Sequence, residues 1–148
     1  MKILLPVDGS EASMAAVRLA LAWRQAGLQA DFVLVNVQEP PNLYDMVVVH
    51  DAQALDAVRA AVGAELLAPA EALITAAGAR CEIEVAGGDP GHVLVDLIEN
   101  YGCQAVVMGA HGAGDGTGPL GSVALALLAH SPVPVTVVRP PQPVERGD

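Results

Sequence analysis

Short apolar runs alternate with longer amphipathic stretches along this chain. Ile3–Val7 is an apolar run ended by Asp8, Gly9 and Ser10, the pattern of a buried strand followed by a turn. Ser10 is placed to cap a helix, with Glu11 in its first turn. Met14, Val17 and Leu21 share one face of that helix, and Gly27 marks its end. Phe32–Val37 reads as a second strand, stopped at Glu39-Pro40-Pro41-Asn42. Residues 43–50 read as a loop or a short helical turn over the sheet edge. From Ala52 to Ala77 the pattern is helical, with Leu66, Leu67, Leu73 and Ile74 as its apolar stripe. Pro69 inside this segment predicts a kink or a fresh start. Cys81–Val85 is a third strand, with Gly87-Gly88-Asp89-Pro90 as its turn. His92–Tyr101 is a helix with Val93, Leu94, Leu97 and Ile98 inward. Ala105–Met108 is a fourth strand, Ser122–His130 a helix and Val133–Val138 a closing strand.

Strands alternating with helices predict an α/β fold, a doubly wound parallel sheet covered on both faces. In such sheets ligands bind beyond the carboxyl ends of the strands, at the switch point. Asp8, Val37, Gly87, Gly88 and Gly109 all fall at such ends. One domain is expected over residues 1–140, with 141–148 as a flexible tail.

Composition supports this picture and narrows the partners. Hydrophobic residues are 53% of the 148 and aromatics only 3%, so Val, Leu, Ile and Ala must fill the core. The net charge is −10 with seven Lys and Arg. No basic footprint for DNA or RNA is present, nor one for an anionic membrane. A small anion is still admissible, because backbone N–H groups hold phosphate without side-chain cations. The N-terminus lacks a signal-peptide pattern, and no apolar run reaches membrane-spanning length, so a cytoplasmic location is expected. Cys81 and Cys103 have no C-x-x-C spacing and read as free buried thiols in a reducing compartment.

The segment from Met108 to Ser122 carries the chemistry. A strand runs into a loop with six glycines between 109 and 121, and the loop opens a helix. Glycine lets backbone approach a ligand closely, and the first amides of a helix point at an anion. Ser122 adds a hydroxyl donor. This is not a Walker loop, since the G-K-[ST] lysine is missing.

This segment resembles the G-x2-G-x9-G-[ST] nucleotide loop of the universal stress protein family, with Gly109, Gly112, Gly121 and Ser122 in the four marked places. The likeness extends over nearly the whole chain. Pro6-Val-Asp-Gly-Ser10 resembles the family's first turn, Leu34–Val37 its second strand, with Asn36 where histidine is frequent. Gly88-Asp-Pro90 resembles the turn after the third strand, and Val133–Val138 the closing strand. The resemblance implies a five-stranded sheet of order 3-2-1-4-5, adenine-nucleotide alpha-hydrolase-like. It implies a site for ATP, in some members with Mg²⁺ or Mn²⁺, at Asp8, Val37, Gly88, Gly109, Gly112, Gly121, Ser122 and Val123. Asp8 and Val37 would surround adenine, Gly109 would lie at the ribose, and Gly112, Gly121 and Ser122 would contact phosphates. It also implies a homodimer through Val133–Val138 and a role in stress response rather than turnover of a metabolite.

The chain departs from the pattern in two respects. Eight residues, Ala113 to Leu120, separate Gly112 from Gly121 where the motif has nine. No Lys or Arg occurs between Arg80 and Arg139, and the loop holds Asp115, a potential bridge to phosphate through a divalent cation. Three readings follow: a dimeric ATP-binding regulator, a dimeric interaction module with a relic loop, and a slow ATP hydrolase. The third lacks a committed base or transition-state cation.

Individual residues carry plainer readings beside these. Asp8 can simply organise its turn, and Ser10 is a cap rather than a nucleophile. His111 reads as an exposed loop histidine, the four histidines having no metal-ligand spacing. Asp8, Ser10 and His111 are the residue types of a hydrolase triad, but no G-x-S-x-G elbow exists. Asp89 can cap the helix that Pro90 begins. Pro134 marks the closing strand as an edge, which needs covering by a second subunit or by the tail.

Overall fold

In the computed structural model, which describes residues 1–39, 52–112 and 119–140, β1 (Lys2–Pro6) is the middle of a five-stranded sheet. On one side it pairs with β2 (Asp31–Gln38), which pairs with β3 (Cys81–Gly87). On the other it pairs with β4 (Ala105–Gly109), which pairs with β5 (Val135–Val138). Every pairing is parallel, and the order is β3-β2-β1-β4-β5, as expected. The switch point lies between β1 and β4.

Strand alternation builds two cores, one on each face. Ile3, Leu5 and Val7 join Phe32 and Leu34 beneath α1 (Glu11–Gln25) and α2 (Ala52–Ala76). Leu4, Val33 and Val35 point the other way, onto Leu94, Leu97 and Ile98 of α3 (Pro90–Tyr101) and Leu127 of α4 (Ser122–His130). Because successive side chains of a strand take opposite faces, a continuous apolar run serves both layers. On the helix side of the first layer Ala16, Ala20 and Ala70 are buried with Val17, Leu67 and Ile74, and Met14 and Leu21 pack at its margin. Small side chains let α1 lie close to the sheet, which matters at the site described below.

Local signals set the element ends. The Ser10 hydroxyl accepts from Ser13 N at 3.2 Å, and the Asp89 carboxylate accepts from His92 N at 3.1 Å, so both expected caps are made. Val133 and Pro134 lie before β5 rather than in it. The Pro134 carbonyl still accepts from Val106 N at 2.9 Å, so the proline leads into the edge strand without having to donate.

Two helical expectations are corrected. α2 runs unbroken through Pro69, so no fresh start occurs there. Its buried stripe is Gly63, Leu67, Ala70 and Ile74, spaced 4, 3 and 4 residues apart; Leu66 is half-buried and Leu73 exposed. Leu66 and Leu73 each stand one place before a stripe position, about 100° around the helix, and alanine and glycine occupy the stripe where larger residues were expected. Both thiols are free, as read, but only Cys103 is buried; Cys81 is half-buried on β3. Burial is the main influence pushing both thiols up from their ordinary range. The readings of residues 43–50, Asp115 and the tail 141–148 lie outside the described residues.

Candidate functional site

The turn after β1 is tied down first. The Asp8 carboxylate accepts from Ser10 N at 2.9 Å, an Asx turn that aims the chain into α1. Ser13, buried in the first turn of α1, returns its hydroxyl to the Ser10 carbonyl at 2.9 Å. Beside this turn Val7 N donates to Val35 O at 2.8 Å. The Asn36 amide, only 3% exposed, donates to Val7 O at 2.9 Å and accepts from Gln38 Nε2 at 2.6 Å. One polar side chain in an apolar strand thus holds the carboxyl ends of β1 and β2 in register. The sequence flagged it only as a substitution at a histidine position, although a lone Asn in a buried strand is itself a signal of such a bond.

β4 supplies the opposite wall. Gly109 ends it, and a Cβ there would lie 2.8 Å from the carbonyl carbon and Cβ of Ala12 and 2.9 Å from Ser13 N. Glycine is therefore demanded by the start of α1, which presses on the strand end. Ala110 then makes two bonds: its N–H donates to Val138 O at 2.8 Å, and its carbonyl accepts from Gly121 N at 2.6 Å. The second closes the glycine-rich loop at its base. Gly121 becomes the N-cap of α4 with extended backbone and no side-chain cap. The first intrahelical bond comes only from Leu125 N, to Gly121 O at 3.1 Å. The amides of Ser122, Val123 and Ala124 have no acceptor within the helix, and the helix dipole adds to their pull on an anion.

These elements enclose a cleft of about 240 Å³ at the carboxyl ends of the strands, with Pro90 and Leu94 of α3 on its far side. Six of the sequence-predicted residues line it: Asp8, Val37, Gly109, Gly112, Ser122 and Val123. Gly88 and Gly121 do not. Gly88 has a φ of +133° and donates its N–H to Gln38 O at 3.0 Å, so it is a turn residue beside the cleft. Gly121 is buried and closes the loop through its bond to Ala110 O.

His111 corrects the sequence reading. It is half-buried in the cleft wall, and its Nδ1 is sealed from solvent with no hydrogen-bond partner. Its position directly after the doubly bonded Ala110 keeps it at the base of the loop instead of on an exposed arm. Leaving a buried donor or acceptor unmet costs about 1–3 kcal/mol, so the sealed Nδ1 is a local energetic cost in the cleft wall. Among the described lining residues the charged side chains are Asp8 and Glu39, both anionic, and no lysine or arginine is present. Among the described residues no three His, Cys, Asp or Glu side chains gather as metal ligands. No helix among them is long and apolar enough to cross a membrane.

The model of the universal stress protein family matches residues 1–139. The chain belongs to that family. Solved structures repeat the fold. The hypothetical protein MJ0577 is similar at a TM-score of 0.81 and 22% identity, over 96% of this chain and 97% of that one. A universal stress protein in complex with cAMP is similar at 0.71 and 24% identity, over 95% and 98%. A universal stress protein family member from Arabidopsis thaliana with AMP bound is similar at 0.70 and 18% identity, over 98% and 97%. No curated protein matches this chain significantly.

Proposed function

We propose that this universal stress protein is an adenine-nucleotide-binding regulatory protein of the cytoplasm, that its ligand is ATP carried with Mg²⁺, and that it acts in the stress response as a homodimer. The observation that carries the reading is the convergence on one cleft of unpaired α4 amides and a mostly apolar wall. Val35, Val37, Leu94 and Met108 suit a flat aromatic base, and Asp8 suits the polar edge of a base or the ribose hydroxyls. Phosphates would meet the amides of Ser122 and Val123, the Ser122 hydroxyl and the loop at Gly112. The relatives with cAMP and AMP bound support the adenosine part of this assignment.

Binding rather than catalysis is the proposed activity. Among the described residues no carboxylate bonds His111 Nδ1, and Ser13, the buried serine of the cleft, spends its proton on Ser10 O. The dimer would form at β5, which among the described residues pairs only with β4 and has no strand on its other edge. Leu125 and Leu128 of α4 are 53% and 49% exposed and would add apolar area. Nothing in the charge pattern suits nucleic acid.

Titration calorimetry with ATP and Mg²⁺ tests the reading. A saturable one-site isotherm with a rise in melting temperature supports it; no heat and no thermal shift at millimolar nucleotide rejects it. The anionic lining, Asp8 and Glu39, favours a second reading, a dimeric interaction module whose loop no longer binds nucleotide. Release of co-purified adenine nucleotide from the denatured protein would count against that second reading.

A further inference from the structure

We propose that Arg139 clasps the returning leg of the glycine-rich loop to the end of β5 and thereby sets how strongly the site holds phosphate. The proposal rests on the nucleotide reading above. Pro119 lies three residues before the first residue of α4, and its carbonyl accepts from Arg139 Nη2 at 3.1 Å. Arg139 directly follows β5, whose last residue, Val138, accepts from Ala110 N–H. Ala110 in turn accepts from Gly121 N–H. The end of β5 therefore holds the loop at its outgoing leg through Ala110 and at its returning leg through Pro119, and the Ala110–Gly121 bond closes the loop between them.

Residue types explain the arrangement. Proline has no N–H, so this leg can be held at residue 119 only through its carbonyl. Arginine suits the task because its planar fork of donors is always charged and pre-organised. With the clasp made, the amides of Ser122 and Val123 are presented without further ordering of the leg behind them. The same guanidinium puts a positive charge on the leg that leads into α4, while the cleft's own side-chain charges are Asp8 and Glu39. Adenine and ribose would meet the lining at Val35, Val37, Leu94, Met108 and Asp8, which Pro119 and Arg139 do not join. The clasp should then act on phosphate affinity and spare nucleoside affinity.

The experiment is calorimetric titration of the full chain with adenosine and with Mg²⁺-ATP, for the wild type, Arg139→Gln and Arg139→Lys. Arg139→Gln should weaken ATP binding about two- to five-fold and adenosine binding less than about 1.5-fold, the upper part of the span of an exposed charged contact. Arg139→Lys, which keeps the charge without the fork, should recover only part of the loss. Arg139 is exposed, so melting temperatures should stay within about 2 °C of wild type. Unchanged ATP affinity in Arg139→Gln, equal losses for ATP and adenosine, or full recovery by lysine overturns the clasp. A wild type that binds neither ligand rejects the nucleotide reading and the clasp with it; a wild type that binds both, with an indifferent Arg139→Gln, rejects the clasp alone.

Discussion

Gly121 N–H donates to the carbonyl of Ala110 at 2.6 Å, so the two ends of the glycine-rich loop meet at the end of β4. This bond puts the start of α4 at the mouth of the cleft and leaves Ser122 on its rim, exposed. Ser122→Ala should therefore weaken ATP binding about three- to ten-fold, the loss of one hydrogen bond to a charged group partly shared with water. The melting temperature without nucleotide should move by less than about 2 °C, since the hydroxyl caps nothing in α4. Isothermal titration beside differential scanning fluorimetry reads both quantities.

Asn36 tests how the cleft is framed. Asn36→Leu removes the donor to Val7 O and the acceptor for Gln38, leaving a buried carbonyl unmet. Destabilisation of about 1–3 kcal/mol is expected, measured by urea unfolding, despite the gain in apolar volume. An unchanged urea midpoint would show that the β1–β2 end is held by the strand ladder alone.

Gly63 tests packing against propensity. Alanine is favoured over glycine in a helix interior by about 1 kcal/mol. Yet a Cβ on Gly63 would fall 2.4 Å and 2.9 Å from the two methyls of Val85, a β-branched side chain with little rotamer freedom. Overpacking costs roughly 1–3 kcal/mol, so Gly63→Ala should be net destabilising. Gly63→Ala combined with Val85→Ala should cost less than the sum of the two single changes, and chemical denaturation of the wild type, both single variants and the double variant measures the coupling.

Much of this framework is legible in the sequence because its signals are local. Apolar runs of strand length, Ser10 and Asp89 at helix starts and the glycine cluster all speak within a few residues. Leu73 shows the limit: Leu66, Leu67, Leu73 and Ile74 in α2 suggest a stripe, but the surface they meet decides the face. That surface wants Gly63 and Ala70, because Val85 and the sheet approach closely. The site divides the same way. Asp8, Val37, Gly109, Gly112, Ser122 and Val123 share the cleft because strand ends bring them there. The glycine at Gly109 answers to Ala12 and Ser13, and Arg139 reaches Pro119 across 20 residues of chain. Neither contact has a local signal, and the sealed Nδ1 of His111 likewise depends on the loop closing.

Asp89 gives a pH dependence whose sign is fixed. Its carboxyl is held below the usual carboxylate range, first by the His92 side chain, whose Nδ1 lies 2.8 Å away, and then by His92 N–H. A carboxyl lowered on folding stabilises the fold above its unfolded value, about 3.9, and loses that contribution as pH falls through the folded value. Asp89→Ala should lower the melting temperature at pH 7, where the carboxylate caps α3. The gap between variant and wild type should narrow below about pH 4. A gap independent of pH between 7 and 3 would contradict the charged cap.

Amide chemical shifts during an ATP titration with Mg²⁺ test the central claim most directly. The account predicts saturable ¹H–¹⁵N perturbations at Asp8, Val37, Gly109, Gly112, Ser122 and Val123, largest at the two α4 amides, with little change at the β3 edge. Silence at Ser122 and Val123 under saturating nucleotide, or shifts clustered away from the cleft, would contradict it.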